Sequence, residues 1–94
     1  MSLGWSATRK LRTAVANLSC ILAVELTAAT FGLELRRPLK PAVPTAAVAG
    51  LVSQAAGGPG PDRWLAPRLA AVEVLVAGGA VVAAADAALD APLA

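Results

Sequence analysis

The sequence predicts an all-α chain, with one long helix over about residues 6–31 followed by two or three short helices joined by Pro/Gly-rich loops. Three observations predict it. Leu11, Val15, Leu18, Leu22, Leu26 and Ala29 recur at steps of three and four, which makes one helical face continuously apolar. Prolines at 38, 41 and 44 and the run GGPGP at 57–61 punctuate the remainder. Between those breaks, shorter apolar stripes repeat the helical spacing.

The long helix comes first. Ser6 offers an N-cap, and Gly32 stands where a glycine just past the last turn would end the helix. From Ala7 to Phe31 it would run roughly 37 Å at about 1.5 Å per residue. Arg9, Lys10 and Arg12 lie in its early turns, where they oppose the helix dipole, and read as a solvated basic end. Cys20, Ile21, Val24, Ala28 and Phe31 add a second apolar face in the later half. A helix so nearly apolar all round needs several neighbours to bury it.

Past Gly32, each proline removes a backbone donor and biases its predecessor toward extended conformations, so residues 32–44 form a connector kept wet by Arg36, Arg37 and Lys40. Thr45 is expected to cap a second helix reaching about Ala56, with Val48, Leu51, Val52 and Ala55 on one stripe and Gly57 just beyond. GGPGP is a plain loop, because no Lys-Ser or Lys-Thr follows it as a phosphate-binding loop requires. Asp62 to Pro67 leads into a third helix, with Pro67 at its first position, where no N–H is needed. Leu69, Val72, Leu75 and Val76 form its stripe, and Gly78-Gly79 ends or bends it. Trp64 is expected to anchor the preceding loop on the long helix. Ala80 to Leu89 forms a last helix, and the closing APLA frays.

Ninety-four residues make one small domain or part of one. The chain is 57% hydrophobic, yet much of that is Ala, and Trp5, Phe31 and Trp64 are its aromatics. Aromatic side chains bury roughly 150–250 Å² each and Ala far less, so the core is thin. The missing burial is expected from another chain or from upstream sequence, and no complete independent domain is expected. Net charge is +2 but uneven: residues 1–40 carry six basic and two acidic groups, residues 41–94 two basic and four acidic. That asymmetry is too mild, and too poor in aromatics, for nucleic-acid binding.

Cys20, the single cysteine, cannot form an internal disulfide and fits a reducing, cytoplasmic compartment. Its place on an apolar stretch makes it an expected inert core residue. Arg9, Lys10 and Arg12 ahead of the apolar run Thr13 to Leu33 superficially match a signal peptide or anchor. Glu25 in the middle of that run argues against a membrane partner, since an acid at the bilayer centre costs about 2.5–3.5 kcal/mol on insertion scales.

Reaction chemistry is scarce. With no His and no Tyr, the serines at 2, 6, 19 and 53 have no imidazole partner and a Ser-His-Asp triad cannot be built. One cysteine without histidine cannot make a structural zinc site. Glu25, Glu34, Asp62, Glu73, Asp86 and Asp90 are spread over separate elements; Asp86 and Asp90 share a helical face and solvate it. No catalytic, cofactor-binding or metal-binding residue is assigned.

Three stretches carry a resemblance. Ser2-Leu3-Gly4 followed by Ala7-Thr8-Arg9-Lys10 is similar to an S-M-G segment leading into a long helix. Ile21 to Leu26 (ILAVEL), Gly32 to Arg36 (GLELR) and Pro38-Leu39-Lys40 are similar to an ILA-x-EL … GLDLR … PLK run. Asp62 to Pro67 (DRWLAP) is similar to DRFLAP. In that order and spacing they resemble the C-terminal end of the histidine ammonia-lyases, within the aromatic amino acid ammonia-lyase family. Leu3 replaces a usual Met, Phe31 a usual polar residue and Arg68 a usual acid, the last placing positive charge unfavourably at a helix N-terminus.

The resemblance implies an almost all-helical homotetramer with long helices from several subunits in a central bundle, of which this chain would be a fragment. It also implies elimination of ammonia from histidine to give urocanate, through an electrophilic methylidene-imidazolone formed from Ala-Ser-Gly. No Ser-Gly pair and no catalytic tyrosine occur in these residues, so the chain alone is expected to be inactive. The alternative reading is a small helical module that self-associates through its long helix, without enzymatic activity.

Overall fold

The computed structural model describes residues 3–57 and 65–89. They form four helices in chain order, α1 (Leu3–Leu35), α2 (Val43–Ala56), α3 (Ala66–Ala77) and α4 (Ala80–Ala87), with no strand among the described residues. The expected architecture is therefore present. Asp62, Arg63, Trp64 and the APLA end lie outside the described residues, as does the packing expected of Trp64.

At 33 residues, α1 runs about 50 Å and exceeds its expected bounds at both ends. Ser6 sits inside the helix instead of capping it, and Gly32 is part of its last turns. A Cβ added at Gly32 would meet nothing within 4 Å, and its φ is not positive, so nothing there forces the chain out of helix. The stop comes later, where the Arg36 and Arg37 amides donate to the Leu33 and Glu34 carbonyls at 3.2 and 3.4 Å. Pro38 follows with no N–H to continue the ladder.

Ala42, not Thr45, is the N-cap of α2, and no side chain caps it. Pro44 sits in the first turn, where its fixed φ suits the helix and its missing N–H costs nothing, so the start moves ahead of Thr45. Gly57 ends α2 as expected, at φ +78° with its N–H donating to the Ser53 carbonyl at 2.8 Å. α3 and α4 meet at a 65° bend, made by Gly78-Gly79, and Gly79 takes the left-handed φ of +82°. The last helix ends at Ala87, two residues short of expectation, as the Ala88 and Leu89 amides turn back to Ala85 and Asp86 at 3.2 and 3.1 Å.

α1 lies against α3 and α2, and α2 also packs on α4. The core at their junction consists of Ala23, Val52, Ala56 and Val72, with Leu26, Val48 and Ala55 packed against it. From α1, the other buried side chains are Thr27 and Thr30. Thr27 is satisfied by its own helix, its Oγ1 donating to the Ala23 carbonyl at 2.8 Å. The stripes expected on α2 and α3 face inward: Val52 and Val72 are buried, and Val48, Leu51, Leu69, Leu75 and Val76 are half-buried.

The stripe expected on α1 does not. Leu11, Val15 and Leu18 are 64%, 55% and 53% exposed, Leu22 is exposed, and only Leu26 of the stripe's bulky residues is half-buried. Small side chains let helix axes approach closely, and α1 meets its neighbours through Ala23, Thr27 and Thr30. Cys20, expected in the core, is exposed: α3 runs past the Ser19 side of the helix, where Glu73 and Ala77 share a groove with Ser19, and Cys20 lies outside that contact. The result is a slab of 58 × 39 × 15 Å with a radius of gyration of 15.8 Å, against about 12–13 Å for a compact chain of this length.

Candidate functional site

A concavity lies where the end of α1, the proline connector and α2 meet. It is a half-open groove of about 370 Å³. Its apolar lining comes from Leu33, Leu39, Ala46, Ala49 and Gly50, and Glu34, Arg37 and Lys40 stand at its polar side. The elements place these groups for simple reasons. Glu34 and Arg37 are three apart and so lie on one side of the final α1 turns, and Arg37 Nη2 sits 3.0 Å from both Glu34 carboxylate oxygens. Arg37 is 72% exposed, so the pair contributes well under about 1 kcal/mol to stability. Lys40 is carried past it by the extended connector between Pro38 and Pro41.

The groove holds no cysteine, serine or histidine, and its one carboxylate is already engaged by arginine. The buried Thr30 brings a hydroxyl to its lining, and the groove can receive an apolar group and a negative charge. Other chemistry-bearing groups among the described residues lie outside this groove. Cys20 and Glu25 are exposed on α1, Ser19 and Glu73 line a shallow groove beside Leu11 and Val15, and Asp86 is half-buried on α4. No group of three acidic or cysteine residues close enough to hold a metal occurs among the described residues.

Sequence reasoning missed the contact made by Arg68. Its Nη1 donates to the Ala56 carbonyl, the last residue of α2, at 2.7 Å. An arginine at the start of α3 opposes that helix's dipole, yet here its charge is delivered to the negative end of α2, where it is favourable. The available signal was position: a cation one loop after a helix that ends on glycine. By length and composition α1 is also long and apolar enough to cross a bilayer, a test that a mostly buried core helix or a signal sequence near the N-terminus passes as well.

The groove and the long helix fall in the part of the chain with a recognised family pattern. Residues 1–54 match the pattern of the aromatic amino acid lyases. The chain belongs to the aromatic amino acid lyase family. Its similarity to curated family members extends beyond α2. It is 54% identical over 87 residues to histidine ammonia-lyase of Streptomyces avermitilis, and 57% identical over 88 residues to histidine ammonia-lyase of Streptomyces coelicolor. To histidine ammonia-lyase of Streptomyces griseus it is 56% identical over 89 residues. Each alignment covers 92% of this chain but only 17% of the relative. No solved structure matches it. The aromatic amino acid lyase match embraces α1, the connector and nearly all of α2, and therefore every residue lining the groove.

Proposed function

We propose that this chain is the C-terminal structural portion of a histidine ammonia-lyase subunit. The parent reaction is the non-oxidative release of ammonia from L-histidine to give urocanate. The observation that carries the reading is 54–57% identity to three histidine ammonia-lyases, sustained over 92% of the chain. Within that enzyme these residues supply helix surface and no chemistry. The methylidene-imidazolone implied by the resemblance forms from Ala-Ser-Gly, a triplet these 94 residues lack, so they do not fit as its source and no reaction step is assigned to them. The working enzyme is a cytoplasmic homo-oligomer in which the exposed side of α1 is covered by other lyase helices.

The test is an exchange. The matching C-terminal segment of the Streptomyces coelicolor enzyme is replaced by this chain, and urocanate formation is followed. The expected result is a soluble enzyme of near-parental activity, while the 94-residue chain alone forms no urocanate. An inactive, unassembled exchange product contradicts the reading, as does turnover by the isolated chain. The second reading, a self-associating module, is favoured by the exposed Leu11, Val15 and Leu18, and predicts defined oligomers of the isolated chain together with failure of the exchange.

A further inference from the structure

We infer that the groove between the end of α1 and α2 is a docking site for one segment of the remainder of the lyase subunit, a segment presenting a carboxylate beside an aliphatic side chain. The inference rests on the reading above and specifies which surface of this chain joins the rest of the enzyme.

Charge identifies half of the occupant. Arg37 and Lys40 line the groove against a single carboxylate, Glu34, and Arg37 already holds both oxygens of Glu34 at 3.0 Å. Lys40 is left as a positive charge that no other lining residue balances. A carboxylate is therefore the complementary group, and it would also fix the register of whatever enters.

The other half comes from Gly50. Glycine inside a helix costs roughly 0.5–1 kcal/mol relative to alanine, and where it borders a groove it lets another group approach the backbone closely. Gly50 lies inside α2, is exposed, and an added Cβ there would meet nothing within 4 Å of this chain. Yet it lines the groove, beside Ala46 and Ala49 and opposite Leu33 and Leu39. Room is kept over α2 that this chain does not use, with apolar walls that water does not favour. An aliphatic side chain reaching down to Gly50 fills it.

On the proposed reading the occupant comes from the rest of the enzyme. The relatives align with this chain over only 17% of their length, so most of each relative is available to supply it.

The experiment uses the full-length exchange enzyme and a zero-length carbodiimide, which joins a lysine amine to a carboxylate only when they touch. Peptide mass spectrometry is expected to find Lys40 joined to an Asp or Glu outside these 94 residues. Lys40→Glu is expected to lower the yield of assembled, active enzyme by roughly tenfold or more, because it sets like charges together, whereas Lys40→Arg keeps it. Gly50→Leu is expected to cause a comparable loss by filling the space. An active exchange enzyme with no cross-link from Lys40 beyond this chain, and with full activity in Lys40→Glu and Gly50→Leu, overturns the groove assignment and leaves the family reading intact. An exchange enzyme that never assembles overturns both.

Discussion

Arg68, in the first turn of α3, ties that helix to the end of α2. At the start of α3 it looks like a misplaced charge, but its Nη1 reaches 2.7 Å to the Ala56 carbonyl and satisfies the end of α2. Arg68→Ala is expected to cost about 1–2 kcal/mol, the scale of a partly exposed hydrogen bond from a charged donor. Urea unfolding followed by helical circular dichroism measures it, and an unmoved midpoint contradicts the assignment. The core is small enough that single residues dominate it. Val52 and Val72 are its largest fully buried side chains, so Val52→Ala and Val72→Ala are each expected to cost about 2 kcal/mol from lost burial plus a residual cavity. Thr27→Val is the contrasting case. It removes a hydroxyl whose acceptor, the Ala23 carbonyl, keeps its backbone donor, so stability should change by less than about 1 kcal/mol.

At the scale of elements, the helices were legible: α1, α2 and α3 carry apolar residues at helical spacing between proline or glycine breaks, and the Ala-rich run after Gly78-Gly79 was open to a last helix. Their ends were less so. Gly32 looked like a stop, but glycine permits a left-handed conformation without requiring it, and the absent N–H of Pro38 sets the limit. Thr45 looked like a cap, but Pro44 is better suited to a first turn than to the residue before one. Which face of α1 packs within the chain was not legible at all. Periodicity finds the bulkiest stripe, Leu11 to Leu22, whereas the contact with α2 and α3 runs through Ala23, Thr27 and Thr30. The groove was illegible for a related reason, since it joins Leu33 to Gly50 across a connector whose path no local pattern records. Gly32→Ala tests the helical reading of α1: with open space at its Cβ it should stabilise the chain by up to about 1 kcal/mol. A glycine needed for a left-handed cap would instead make that substitution destabilising.

For the whole molecule, surface area decides. The chain exposes 6752 Å², whereas a compact monomer of 9.3 kDa exposes about 5000 Å². The excess is more than twice the roughly 800 Å² that each partner of a standard complex buries. Much of it is aliphatic, with Leu11, Val15, Leu18, Ile21 and Val24 all exposed along α1. On the proposed reading, the rest of a lyase covers this surface. Leu18→Lys should therefore leave the helical content of the isolated chain unchanged and reduce its association, because Leu18 touches solvent within the chain.

On the proposed reading, α1 is a surface that other polypeptide must cover. Sedimentation velocity of the purified 94-residue chain at micromolar concentration tests this most directly. Associated species that give way to monomer in the Leu18→Lys variant are predicted. A stable, cooperatively melting monomer of the unaltered chain would contradict the account.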